Sequence, residues 1–157
     1  MTLEDRIRRL EDIEEIRRLR NMYHYFVNEQ QPERFREIYT ADAVLEFDRH
    51  MKMVGLDAIV EAMTNVPERT LIKQFIHSHQ VDVDGDEASG FAYLDARYGQ
   101  DGHSLIVAAR YDETYRRTPE GWRISRTSID VDFSVPVQQG WADTSEDYFT
   151  RIELPNR

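Results

Sequence analysis

The chain has 157 residues, 40% of them hydrophobic and 11% aromatic, which suits one packed domain and excludes a disordered chain. The formal net charge of −10 disfavours nucleic acid and anionic membranes as partners, because phosphate binding needs a basic face. The chain has no cysteine, so disulfides and thiol chemistry are excluded. With no apolar signal segment and no membrane-spanning apolar run, we expect a cytoplasmic protein.

The first predicted element is one long helix over residues 2–27. Apolar residues recur there at three- and four-residue steps, and Thr2 with Asp5 resembles a capping box at its start. Its outer face is dense in Glu and Arg, which is typical of a solvated surface. The apolar stripe begins so early that the first two turns are expected to protrude and to pack on another subunit.

Shorter elements are predicted next. Pro32 is expected to begin a second, short helix, because proline favours the first helical position. Strands are expected at 43–47 and 52–54, separated by a turn. Asp57 is expected to cap a third helix that ends near residue 65.

The chain after residue 67 is predicted to be β structure. The connections are short and rich in Asp, Gly and Pro, which indicates an antiparallel meander. An irregular tail, 134–157, is expected to lie over the domain or a neighbour. Four strands are predicted in this part of the chain, at 70–83, 88–98, 104–117 and 121–133. The whole chain, 1–157, is therefore predicted to be one α+β domain in which a strongly bent sheet wraps the helices.

The segment 75–86 carries the first indication of function. Strict alternation along this strand would place two imidazoles, of His77 and His79, on one apolar face, where a polar group needs a partner or a purpose. The alternative is a core histidine that is satisfied by a backbone carbonyl or a tyrosine. A bulge between Ile76 and His79 would turn one of the two histidines to solvent.

Five segments of the chain have a recognisable wording: 22–28 (MYHYFVN), 32–44 (PERFREIYTADAV), 55–59 (GLDAI), 83–88 (VDGDEA) and 110–124 (RYDETYRRTPEGWRI). These segments resemble the SnoaL-like proteins of the nuclear transport factor 2-like superfamily. The similarity extends to about Phe133 and implies a cone-shaped fold of three N-terminal helices on a strongly curved, mainly antiparallel sheet. Relatives of this kind include scytalone dehydratase, bile acid dehydratase, polyketide cyclases and ketosteroid isomerase.

The resemblance also implies catalytic residues. Tyr23 and His77 match a tyrosine and a histidine that line the cavity in the dehydratase branch. Asn28 stands where those enzymes commonly have an aspartate that orients the histidine as a base. An amide can fix the tautomer of His77 but supplies no charge, so a pair with Asn28 would make a weaker base. The expected roles are His77 as base, Tyr23 as acid or oxyanion donor, and Asn28 as the orienting group.

Three further residues are candidate substrate contacts. His79 follows from the alternation described above. Arg126 and Asp130 project into the cone if the last strand has no bulge. A bulge would leave both charges in solvent and place Ile129, Val131 and Phe133 inside.

Two functions are open at this stage. The first is a cofactor-independent lyase or isomerase, like a dehydratase or cyclase, acting on a hydrophobic cyclic small molecule by histidine-assisted proton abstraction. The alternative is a non-catalytic small-molecule-binding or dimeric assembly domain. No metal or other cofactor is expected, since two strand histidines without cysteine pairs make no recognisable zinc motif. The resemblance implies a homodimer or homotrimer, with no nucleic acid or membrane as partner.

Overall fold

A long helix and a six-stranded sheet dominate the structure, a computed structural model that describes residues 1–48, 51–66 and 71–142. Helix α1 (Leu3–Asn28) begins at the predicted capping box, in which the Thr2 hydroxyl accepts from the Asp5 amide and the Asp5 carboxylate accepts from the Thr2 amide. A 3-10 helix (Pro32–Glu37) and helix α2 (Leu56–Thr64) follow. No helix in these ranges has the length and apolar character needed to cross a bilayer.

The strands of the sheet are β1 (Tyr39–Phe47), β2 (Met51–Val54), β3 (Leu71–Asp84), β4 (Glu87–Gln100), β5 (His103–Thr118) and β6 (Gly121–Pro136). They form a single open sheet in the order β2-β1-β6-β5-β4-β3. The last four are consecutive antiparallel neighbours, which confirms the predicted meander, and β1 pairs parallel with β6. The core lies between the inner face of this sheet and the helices.

The predicted cap of the helix that follows β2 is wrong. Gly55 occupies the cap position with φ +91°, a conformation that a residue without a Cβ adopts readily, and no side chain caps the helix. The Asp57 carboxylate instead accepts a hydrogen bond of 2.6 Å from Nη1 of Arg36. That contact ties α2 to the 3-10 helix. Part of the predicted tail, 143–157, lies outside the described residues.

Helix α1 lies along β3, an edge strand of the sheet, and its side chains bind backbone groups of that strand. Arg9 donates to the carbonyl of Val83 over 2.8 Å. The amide of Asn28 makes two hydrogen bonds to Gln74, donating to its carbonyl (3.0 Å) and accepting from its N–H (2.7 Å). An edge strand otherwise leaves such groups to water, so the helix supplies partners in place of a further strand.

A β-bulge interrupts β3. His77 pairs with Tyr93 but Gln80 pairs with Phe91, so β3 has one residue more than β4 in this interval, and Ser78 has φ +52°. Gln74 lies on the inner face before the bulge and His79 lies on it after the bulge. The two halves of β3 therefore follow opposite alternation.

A second bulge changes the face of the charged residues of β6. The register passes from Tyr115–Ile124 to Thr114–Arg126, so that Thr127 and Ile129 become fully buried. Arg126 and Asp130 are exposed. The expectation that these two side chains project into the cone is thus wrong, and the alternative with a bulge holds for Ile129.

Arg126 and Asp130 have charged neighbours on the outer face of the sheet. The guanidinium of Arg126 forms an ion pair with Glu46 of β1. Asp130 stands opposite Arg110 in the β5–β6 register. Phe133 does not extend the buried row, since its ring stacks on Trp141 with centroids 5.7 Å apart.

Candidate active site

A buried ion pair lies inside the cone, where α1 faces the sheet. Nε and Nη2 of Arg20 both donate to the Glu113 carboxylate, with Nε at 2.9 Å, and both side chains are fully buried. The hydroxyls of Tyr115 and Thr127 donate to the same carboxylate, each over 2.6 Å. Burial alone would raise the pKa of Glu113, but the Arg20 charge and these hydrogen bonds hold it below its ordinary value.

One edge of the Arg20 guanidinium has no partner. The group is sandwiched between the rings of Tyr23 and Tyr111, with its central carbon 4.3 and 4.1 Å from the two centroids. Within the described part of the chain, Nη1 is buried and forms no hydrogen bond. Since the other two nitrogens hold Glu113, Nη1 is the cationic donor that remains for a ligand.

His24 follows Arg20 by one helical turn and is also buried. Its Nδ1 is 3.1 Å from Oε1 of Gln74, which can only accept, so Nδ1 carries the proton and Nε2 carries the lone pair. Burial, and secondly the Arg20 charge, lower the pKa of His24 well below its ordinary value, so the ring is neutral. Nε2 is enclosed and lacks a partner among the described residues.

Gln74, which fixes this tautomer, is itself held on both sides. Its side-chain N–H donates to the Tyr98 hydroxyl over 2.5 Å, and its backbone pairs with the Asn28 amide as described above. Asn28 therefore holds the backbone of Gln74, whose side chain contacts His24. The residue of β3 that faces Asn28 is Gln74, not His77.

The two histidines of β3 lie on different faces, so the expectation of a shared face is wrong. His77 is exposed on the outer face, and the bulge at Ser78 is the reason. His79 points inward, where its Nε2 is 3.0 Å from the Tyr115 hydroxyl. Because Tyr115 donates to Glu113, its oxygen must accept from His79, and burial lowers the pKa of His79 to about 4.

Tyr23 is at the centre of an aromatic cluster inside the cone. Its ring contacts those of Phe35, Tyr39 and Tyr111, with centroids 5.2, 6.4 and 6.1 Å away. Burial raises the pKa of Tyr23 to about 12, so the phenol stays protonated at neutral pH. The structure thus brings together Tyr23, His79 and, through Gln74, Asn28. It leaves His77, Arg126 and Asp130 outside the cone.

Sequence reasoning missed the Arg20–Glu113 ion pair and the buried His24. Arg20 follows Ile16 by four residues and precedes Tyr23 by three, which places it on the apolar stripe of α1. Glu113 alternates with two tyrosines on the inward face of β5 in the same way. A charge at an apolar position on each element is the signal that could have indicated the pair. As to metals, the described residues hold no group of three or more possible ligands.

A long helix across an open, curved sheet, with a buried ion pair inside, defines a cone-fold protein of the nuclear transport factor 2-like class. More narrowly, the chain belongs to the SnoaL-like domain family, whose model matches residues 8–128. No curated protein is similar enough in sequence to count as a relative.

Solved structures share the fold at low sequence identity. A Novosphingobium aromaticivorans protein provisionally named an aromatic ring hydroxylase is 27% identical with a TM-score of 0.74, covering 83% of this chain and 96% of its own. A protein of the same species provisionally named a scytalone dehydratase is 14% identical (TM-score 0.74; 93% and 97%). Hexachlorocyclohexane dehydrochlorinase LinA-type3 from Novosphingobium barchaimii is 18% identical (TM-score 0.73; 87% and 94%).

Restoring the carboxylate of the dehydratase branch should harm this protein. Asn28 both donates to and accepts from the Gln74 backbone, whereas an ionised aspartate can only accept and would face the Gln74 carbonyl. We expect Asn28→Asp to lower the free energy of unfolding by roughly 1–3 kcal/mol at pH 8, measured by urea denaturation. The loss relative to wild type should shrink in acid, where a protonated carboxyl can donate. An equally stable variant at pH 8 would contradict this.

Proposed function

We propose that the protein is a cofactor-independent lyase or isomerase that removes a proton from a hydrophobic cyclic small molecule, with His24 as the general base. One observation carries the proposal: His24 is neutral, its tautomer is fixed by Gln74, and its Nε2 lone pair is enclosed without a partner. Buried acceptors without partners are rare and cost about 1–3 kcal/mol, so such an atom is a candidate for contact with a ligand.

Arg20 supplies the complementary group. When Nε2 of His24 takes a proton from a carbon next to a carbonyl, the C–H electron pair forms a C=C bond and the π pair of the carbonyl moves to its oxygen, which becomes an enolate oxyanion. Nη1 of Arg20, one turn away on the same helix, would donate to that oxygen. The proton then returns to another carbon, or a leaving group departs from the β carbon.

The remaining residues position these two groups. Asn28 and Gln74 hold the His24 ring, and Glu113 fixes the guanidinium so that Nη1 stays free. The Tyr23 phenol is a second hydrogen-bond donor and a wall against a ring-shaped ligand. The interior is closed around Nε2 and Nη1 in this structure, so a substrate must displace neighbouring side chains on entering. The elimination reactions in the names of two fold relatives support the reaction class.

Hydrogen–deuterium exchange tests the proposal without knowledge of the natural substrate. Cyclohexenone, 1-tetralone and 1-indanone would be incubated with protein in D2O, and the loss of their α-proton signals followed by NMR. We expect wild-type protein to accelerate exchange of at least one ketone and His24→Gln to reduce that rate roughly 10²- to 10⁴-fold. His77→Gln is the matched control, because that ring is exposed on the outer face, and its rate should equal that of wild type.

Two results would overturn the assignment. One is a folded His24→Gln variant, verified by circular dichroism, that exchanges protons as fast as wild type. The other is loss of exchange in His77→Gln, which would restore the histidine expected from the family resemblance. Saturable ketone binding with no exchange in any variant would favour the binding domain instead.

A further inference from the structure

The first turns of α1 expose apolar side chains that nothing in the described chain covers. All residues from Met1 to Glu11 are exposed, and the first buried residue of the helix is Asp12. Leu3, Ile7 and Leu10 are 69%, 48% and 66% exposed, large values for three apolar residues on one segment. Their spacing of four and three residues places them in one stripe, on the side of the helix opposite Ile16 and the sheet.

We propose that this stripe packs against the same stripe of a second copy of the chain, as a short parallel helix pair. Steps of four and three residues are the d-a-d spacing of a coiled-coil seam. The stripe does not continue along the helix, because Glu14 and Arg17 occupy the next positions of the same side. The contact is therefore confined to the first three turns.

The charges beside the stripe favour a second copy of the chain as the partner and a parallel orientation of the two helices. Arg6 lies on one side of the seam and Glu11 on the other, and neither forms an ion pair with any described residue. In a parallel pair, Arg6 of each copy lies beside Glu11 of the partner subunit, on both sides of the seam. In an antiparallel pair like charges would meet. The net charge of −10 argues against an anionic membrane as the occupant.

The segment is also held rigid before any partner arrives. Arg9 binds the Val83 carbonyl and the Asp82 carboxylate, both at 2.8 Å. Asp12 accepts hydrogen bonds from Arg117 (2.8 Å) and from the Trp122 indole (3.0 Å). A helix fixed in this way loses little conformational freedom on association, which lowers the cost of the contact.

Cysteine cross-linking tests both the partner and the direction, because the natural chain has no cysteine. In a parallel pair Leu10 faces its own counterpart, so Leu10→Cys alone should form a disulfide under mild oxidation and double the 18.6 kDa mass on a non-reducing gel. Arg8→Cys is the matched control, since Arg8 is also exposed but lies on another side of the helix, and it should cross-link at least tenfold more slowly. Both sites are at the exposed helix start, so folding is not at risk.

A charge exchange completes the test. In the Leu10→Cys background, Arg6→Glu or Glu11→Arg alone should slow cross-linking severalfold, and the two together should restore it. Equal rates for Leu10→Cys and Arg8→Cys would overturn the proposal. So would a mixed disulfide between Leu3→Cys and Leu10→Cys chains that forms faster than either homotypic one, which would indicate an antiparallel pair. The proposal would also be overturned if wild-type protein were a monomer in light scattering while the thiol of the Leu10→Cys variant resisted alkylation, because another segment of the chain would then cover the stripe.

Discussion

Glu113→Leu is expected to lower the free energy of unfolding by about 3–5 kcal/mol, one of the largest effects that a single substitution in this chain can have. The change leaves the Arg20 guanidinium fully buried with no counter-charge, and it removes the acceptor of the Tyr115 and Thr127 hydroxyls. Arg20 cannot relieve the penalty by losing its proton, because a guanidinium stays protonated in proteins. Urea denaturation at pH 7.5 would measure the loss.

The matched double variant separates the ion pair from simple loss of packing. Arg20→Met with Glu113→Leu removes both charges and keeps the volume, so it should be more stable than either single variant. A second cycle on the exposed Arg110–Asp112 pair is the control and should give a coupling below about 1 kcal/mol. Additive losses for Arg20 and Glu113 would show that the two charges do not compensate each other as the structure indicates.

The second large effect is a loss of stability in weak acid. Burial lowers the pKa of both His24 and His79 in the folded protein, so the unfolded chain takes up protons first as the pH falls through about 6.5. Stability is therefore greatest above pH 6.5 and declines toward pH 4. Each histidine adds a slope of up to about 1.4 kcal/mol per pH unit. The contribution of His79 to this slope is smaller, because the ring is partly exposed and solvent screens it.

Denaturation midpoints between pH 8 and pH 4.5 would test this expectation. His79→Gln keeps a donor for the Tyr115 hydroxyl but removes one titrating ring, so its stability should fall less steeply with acid than that of wild type. His24→Gln should flatten the profile further, because that ring is more deeply buried. His77→Gln should follow wild type. Identical slopes for all four proteins would mean that buried histidines do not control acid stability here.

Local patterns predicted the elements well but indicated the bulges only as alternatives. The apolar steps of α1 and the turn residues between the long strands are short-range signals, and the structure confirms the elements that they indicate. Ser78 has φ +52°, and no short-range sequence signal indicates this value, since serine does not favour the left-handed conformation. One extra residue reverses the alternation beyond it, and that reversal accounts for the misplacement of His77.

The site depends on contacts that are remote in sequence. Arg20 belongs to an arginine-rich stretch that also contains Arg17 and Arg18, and the feature that distinguishes it is Glu113 on a distant strand. The two charges are stable in the interior only because they neutralise each other. A short segment of sequence around either residue does not show this partner. In the same way, the hydrogen bond from Nδ1 of His24 to Gln74, a residue remote in sequence, leaves Nε2 of His24 without a proton. The family resemblance identified the cone and Tyr23 as part of its lining, but not this arrangement.

The bonds between α1 and β3 also protect the chain from aggregation. An uncovered edge of fourteen residues with β-branched and aromatic side chains would be a template for strands of other molecules. Arg9 and Asn28 occupy backbone groups at its two ends, and the bulge at Ser78 breaks the regular edge between them. During folding, a newly formed sheet remains vulnerable until the helix docks, so docking of α1 is the step that separates the native protein from intermolecular β structure.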